Sequence, residues 1–191
     1  MQELHTGDIE AFVSRMPQLL DVYRRAFLDV YEPNPKQAAR ERLSLMQQHR
    51  TRPGLRLTYA QEDGELVGFC YTYRGQAGQW WHDVVRRSLD EHVGTTWLGD
   101  CREVVELHVL PQYQGSGLGR RLLRTALDGA AEQTAALSAL DLPDSRALRL
   151  YQSEGFVPLL ENFTFPGSGT RYVILAKELV PRSGEKVLVG S

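Results

Sequence analysis

The chain has 191 residues, with 22 Lys and Arg against 24 Asp and Glu for a net charge of −2, 42% hydrophobic and 24% charged. That size and balance suit one globular domain with a full apolar core, and they give no electrostatic footprint for nucleic-acid binding. No apolar run approaches the roughly 18 residues that span a bilayer. The opening MQELHTGDIE has neither the basic nor the apolar region of a signal peptide. The expected location is therefore cytoplasmic and off the membrane, with Cys70 and Cys101 as reduced, buried thiols.

In chain order, Leu19, Leu20, Tyr23, Phe27 and Val30 fall at helical spacing and predict a first helix from Pro17 to Val30, broken by Pro33 and Pro35. A charged second helix is expected from about Lys36 to His49, before Pro53-Gly54. Apolar and β-branched runs at 55–61 and 65–73 flank Glu62-Asp63-Gly64 and read as a hairpin turning on Asp-Gly. Residues 75–99 form a less regular insert that holds Trp80, Trp81 and Trp97, with a helical middle at 80–92. The run 102–111 is a strong strand, 118–133 an amphipathic helix, and 136–142 another strand. A short helix follows, capped by Asp144 or Ser145 and ended by Gly155. Strands near 156–163 and 171–179 turn at Pro166-Gly167 and Gly169. The organisation is a single mixed α/β domain over 1–180 with a polar tail at 181–191.

Between strand and helix stands QYQGSGLGRR, residues 112–121, with Gly115, Gly117 and Gly119 at alternate positions. Glycine inside regular structure costs roughly 0.5–1 kcal/mol against alanine. Such a cluster at a helix start suits a loop whose backbone N–H groups close on an anion. The spacing excludes a P-loop, because no Lys-Ser or Lys-Thr follows, and a dinucleotide fingerprint, because Arg120 stands where the third glycine belongs.

What remains is Q-x-x-G-x-G, from Gln114 through Gly117 to Gly119, after a strand ending HVLP. Here the sequence resembles the GNAT superfamily of N-acetyltransferases, whose R/Q-x-x-G-x-G/A signature wraps the pyrophosphate of acetyl-coenzyme A. A second stretch, ALRLYQSEGF at 147–156, is similar to the family's later motif, with Asp144 where the family often has Asn. The resemblance implies a single-domain acyl-CoA N-acyltransferase fold, a twisted mixed sheet of about six or seven strands flanked by four or five helices. It also implies acetyl-CoA as co-substrate. Gln114, Gly115, Ser116, Gly117, Leu118, Gly119 and Arg120 would hold the pyrophosphate, and Leu107, His108 and Val109 would offer a backbone edge to the pantetheine.

The implied chemistry is direct transfer to a primary amine in a ternary complex. An alkylammonium of pKa about 10.4 is neutral in only about one molecule in 2,500 at pH 7, so a base is needed. Glu103 and Glu106 are the candidates, with opposite strand parity unless a bulge intervenes, and His108 is a weaker one. Tyr151 occupies the family's tyrosine position and is the expected donor to the leaving thiolate. The acceptor wall is expected from 31–35, the insert residues Trp80, Trp81, His82, Asp83 and Trp97, and 162–170. A small-molecule amine is the leading acceptor. Transfer to a protein N-terminus or lysine, and a non-catalytic acyl-CoA sensor, are the alternatives. The five histidines show no metal-ligand spacing. The resemblance admits a homodimer, a state common in the family.

Overall fold

The computed structural model describes residues 2–28 and 31–179, so the tail expected at 181–191 lies outside the described residues. Strand β1 (Glu3–Gly7) leads into α1 (Ile9–Tyr23), which continues as a π-helical turn, Arg24–Leu28. Then come α2 (Pro35–His49), β2 (Arg56–Glu62), β3 (Glu65–Gly75), α3 (Trp80–Arg87), α4 (Glu91–Leu98) and β4 (Cys101–Val109). A 3-10 turn at Pro111–Tyr113 precedes α5 (Leu118–Leu127), β5 (Thr134–Leu140), α6 (Arg146–Ser153), β6 (Val157–Thr164) and β7 (Arg171–Glu178).

One seven-stranded sheet runs β1-β2-β3-β4-β5-β7-β6, antiparallel throughout except for the β4–β5 pair. The predicted mixed α/β fold is therefore present, with six helices among the described residues. The insert expected to be less regular is the source of the extra helix. It forms two short helices whose Val85 and Leu98 pack with Cys101, Ala136 and Ile174 in a second apolar cluster.

The start of the chain departs from expectation. Asp8 caps α1 by accepting from the Glu10 and Ala11 N–H groups at 3.0 and 3.2 Å, so the helix begins at Ile9 and Pro17 lies inside it. The strand β1 ahead of it pairs with β2 from Glu3↔Gln61 to Gly7↔Leu57. Its short polar sequence, ELHTG, carries no alternating apolar signal. Helix α5 ends at Leu127, earlier than expected, because Asp128 turns extended and Gly129 takes a left-handed φ of 64°. Ser145 rather than Asp144 caps α6, accepting from the Leu148 N–H.

The Asp63-Gly64 turn has φ of 52° and 82°, the two positive values of a type I′ hairpin. Helices α1 and α2 cover one face of the sheet, where the Phe12 ring meets Tyr71 edge-on. Helix α5 covers the other, with Leu122 pressed so closely on Gly68 that an added Cβ would stand 3.1 Å from it. Cys70 and Cys101 are free and buried. Among the described residues no helix is long and apolar enough to cross a membrane.

Candidate active site

Residues Cys101–Glu103 of β4 pair in parallel with Thr134–Ala136 of β5, and there the two strands part. Strand β5 continues bonded to β7 as far as Leu140, while β4 continues bonded to β3 as far as Val109. One edge of β4 beyond Glu103 therefore borders an opening with peptide groups outside any ladder. The opening is a cleft of about 1370 Å³. Single-ligand pockets hold roughly 300–1,000 Å³, so there is room for two substrates side by side.

At the far end of β4 lies the glycine loop. Gly115 and Gly117 take φ of 76° and 84°, a left-handed backbone that side-chain-bearing residues avoid. The first intrahelical bond of α5 runs from the Arg121 N–H to the Gly117 carbonyl, and no side chain caps the earlier N–H groups. Those N–H groups and the helix dipole make the loop fit for a diphosphate. Gln114 acts on the loop itself: its Nε2 donates to the Val109 carbonyl at 2.9 Å and ties the loop to the end of β4. Ser116 turns away to donate to the Tyr113 carbonyl at 2.7 Å, and Leu118 is buried in the core. Neither side chain faces the cleft, which leaves their backbone as the usable part. Gly119 packs against Leu150 and Val109. Arg120 lines the cleft but is held by Glu154 at 2.8 Å and Ser153 at 3.0 Å.

The two candidate glutamates resolve through a bulge. Glu106 opposes Tyr71 and Val104 opposes Thr72, leaving Val105 as an extra residue. One inserted residue restores parity. Glu103 and Glu106, paired with Tyr73 and Tyr71, consequently face the same way and both line the cleft.

Their surroundings differ sharply. Glu106 is ion-paired with Arg42 and hydrogen-bonded to His108 Nε2, each at 2.5 Å. Burial pushes its carboxyl up, but Arg42, the His108 hydrogen bond and the nearby histidines outweigh it, and the net value lies below the usual carboxylate range. Glu103 is 4% exposed and accepts one hydrogen bond, from the Tyr73 hydroxyl at 3.1 Å. Its Oε2 is buried with no hydrogen-bond partner among the described residues. Burial pushes it up to about 8, with Tyr73 and Arg52 pulling back only in part. His49 accompanies this group, its Nδ1 3.0 Å from the Tyr71 hydroxyl. Burial pushes His49 down to about 4, so its ring is neutral near pH 7.

His108 is a partner of Glu106 and packs edge-on to Tyr23, with ring centres 4.8 Å apart. Tyr151 lines the cleft from α6, 8% exposed, its ring against Phe156. Burial pushes its hydroxyl up, so it stays protonated throughout the neutral range.

The acceptor wall is only partly the expected one. Tyr31, Glu32, Trp80, Trp81, Phe165 and Pro166 do line the cleft. His82, Asp83 and Trp97 do not: His82 Nε2 sits 3.1 Å from the Leu98 carbonyl, and Asp83 accepts from the Gly78 N–H. Trp80 is 58% exposed and lies 5.3 Å from the Phe165 ring, bringing the insert against the last hairpin over the acceptor side. Sequence reasoning missed Arg42, His49, Arg52 and Tyr73, which reach the site from α2, the turn after it and β3. For Tyr73 a signal existed, since the hairpin and β4 register sets it opposite Glu103. For the other three there was none, because nothing local separates them from a solvated helix face.

The acetyltransferase (GNAT) family model matches residues 16–156. This chain belongs to the GNAT family of acetyltransferases. It is 36% identical over 122 residues to a GCN5-like protein acetyltransferase of Mycobacterium tuberculosis, a match covering 60% of this chain and 59% of that relative. An acetyltransferase from Salmonella typhimurium solved with acetyl-CoA superposes with a TM-score of 0.62 at 19% identity, over 98% of this chain and 99% of that one. A PaiA N-acetyltransferase from Thermoplasma acidophilum in complex with coenzyme A gives 0.62 at 17%, over 94% and 99%.

Proposed function

We propose that this protein transfers the acetyl group of acetyl-CoA to the primary amine of a small molecule, directly and within a ternary complex. The observation that carries the reading is a buried carboxyl with an unpartnered oxygen, Glu103, standing where the β4–β5 cleft opens beside a free strand edge. The left-handed glycines, the uncapped first turn of α5 and the β4 edge suit acetyl-CoA, as do the complexes of the two solved relatives.

When bound, acetyl-CoA supplies an acetyl thioester open to attack by an unprotonated amine, with coenzyme A leaving as thiolate. Glu103 in its carboxylate form accepts the first ammonium proton and later returns it to water. A pKa near 8 is well matched to that duty at neutral pH. Tyr73 holds the carboxyl in place from Oε1, which leaves Oε2 for the amine. Backbone N–H groups along the open edge of β4 are the available donors for charge developing on the carbonyl oxygen. Tyr151 donates a hydrogen bond to the departing sulfur. Its raised pKa makes it a stabiliser of the thiolate, while the second amine proton restores the thiol. The balance is one ammonium and one thioester in, one amide, one thiol and one proton out.

The small-molecule acceptor is favoured by the aromatic enclosure made where Trp80 meets Phe165. The similar mycobacterial relative, described as a protein acetyltransferase, supports a second reading in which the amine belongs to a polypeptide. Calorimetric titration with acetyl-CoA, followed by thiol release across small amines, peptides and protein lysines, separates the two. Saturable binding with release on small amines supports the proposal. Release on polypeptides alone moves it to the second reading, and absence of acetyl-CoA binding overturns both.

A further inference from the structure

Three guanidinium groups stand near α2 or the turn that follows it, Arg42 on the cleft face, Arg102 on the opposite face of the sheet and Arg52 at the turn, and two of them are neutralised. Arg102 is held by both Glu132 oxygens at 2.9 and 3.0 Å and also donates to the Gly54 carbonyl and Thr72. Arg42 is paired with Glu106. Arg52 differs from both. It lines the cleft, its Nε is closed off from solvent, and its guanidinium makes no hydrogen bond or ion pair among the described residues. Arg52 is half-buried, and an arginine that lines the cleft with no anion of its own, where its two neighbours are each paired, is open to the anion of a ligand.

Resting on the acetyl-transfer reading above, we propose that Arg52 binds a carboxylate on the acceptor, so that the substrates are small amino acids carrying the reactive amine and the carboxylate on one molecule. The geometry supplies both ends. Arg52 lies over the Tyr73 ring, 6.0 Å from its centre, and the hydroxyl of that ring bonds Glu103. One tyrosine thus spaces an anion site from the base. The planar fork of arginine matches carboxylate oxygens in pairs, with short charge-assisted bonds.

The position is also built in advance. The turn bearing Arg52 is fixed by its own N–H on the His49 carbonyl at 2.9 Å and by the Arg74 N–H on the Pro53 carbonyl at 2.9 Å. Glu103 feels the charge of Arg52 but makes no hydrogen bond or ion pair with it among the described residues, so the guanidinium keeps its donors for a ligand. The phosphates of acetyl-CoA are not the intended anion either. The glycine loop follows the other end of β4, and the six residue steps from Glu103 to Val109 extend about 20 Å.

The test is kcat/KM for a series of amino acids against their carboxamides in wild type, Arg52→Gln and Arg52→Lys, with acetyl-CoA saturating. Wild type should prefer the acids at least tenfold. R52Q should bring the ratio close to one by raising KM for the acids, and R52K should restore part of it. Melting temperature and acetyl-CoA affinity of each variant check that the fold persists. Equal use of acids and carboxamides by wild type, or a preference that survives in R52Q, overturns the carboxylate site and leaves acetyl transfer standing. Release of thiol on polypeptides alone overturns the amino-acid assignment. Absence of acetyl-CoA binding or of transfer to any amine overturns the underlying reading and this one together.

Discussion

Glu103 and Glu106 sit on one strand, on one face and in one cleft, yet their surroundings drive them to opposite states. Around Glu106, Arg42 supplies a compensating charge and His108 a hydrogen bond, so the carboxylate is ionised and committed. Around Glu103 a single tyrosine hydroxyl and a more remote arginine leave burial in control, so the carboxyl titrates near 8 and keeps one oxygen idle. On the proposed reading, the difference separates structure from chemistry on this strand. A buried carboxylate that is fully paired holds helix α2 to the sheet, whereas one that is half-paired and near-neutral is equipped to take up and release a proton.

The contrast breaks most visibly at Glu103. Glu103→Gln keeps an acceptor for Tyr73 but abolishes the base, and kcat should fall about a thousandfold, within the range typical of acid–base catalysis. Acetyl-CoA affinity should stay within about twofold, since general-base loss does not touch the glycine loop. The same variant should gain stability at pH 8. The folded value of Glu103, about 8, lies above its ordinary 4.5, so the unfolded chain gives up the proton first. Its contribution to stability is full below about 4.5, declines as pH climbs to about 8 and is flat beyond. Denaturant melts of wild type and E103Q at pH 5 and pH 8 check this.

Glu106→Gln should act on the fold. It leaves Arg42 charged and without its counter-ion, a loss of about 3 kcal/mol measurable by urea unfolding. If E106Q instead keeps its stability and loses turnover as E103Q does, the assignment of roles is reversed. Gly117→Val forces a β-branched residue into a φ of 84°, where the added Cβ itself meets nothing and only the backbone is strained. Helical content by circular dichroism should persist while acetyl-CoA binding weakens at least about tenfold, as expected when one charge-assisted hydrogen bond or more is lost. Tyr151→Phe removes a single hydrogen-bond donor and should lower kcat about fivefold, with little change in acetyl-CoA affinity. A loss as large as that of E103Q would mean that Tyr151 transfers a proton outright.

The parts legible in the sequence are those whose chemistry is local. The glycine loop and the strand and helix around it present backbone groups, Gln114 ties them together through its side-chain amide, and their demands on φ and spacing are written in consecutive residues. The hairpin turn at Asp63-Gly64 was readable for the same reason. The two glutamates were legible as residue types in an apolar strand, but their common facing depends on the Val105 bulge, which no residue pattern announces. The acceptor side was least legible. Arg42, His49, Arg52 and Tyr73 come from three separate segments and converge only after α2 has docked on the sheet. The start of α1 was misplaced because Pro17 reads as a first-turn proline, while the actual cap is Asp8 behind a strand too polar to show alternation.

The most direct test of the central claim is the pH dependence of kcat/KM for the amine in thiol release, from pH 6 to 9.5, in wild type and in E103Q assayed at high enzyme concentration. The wild-type rate should rise with pH and level off with an apparent pKa near 8, well below the roughly 10.4 of a free alkylamine. That inflection should be absent from E103Q. A wild-type profile without an inflection near 8, or one that persists unchanged in E103Q, would contradict Glu103 as the base.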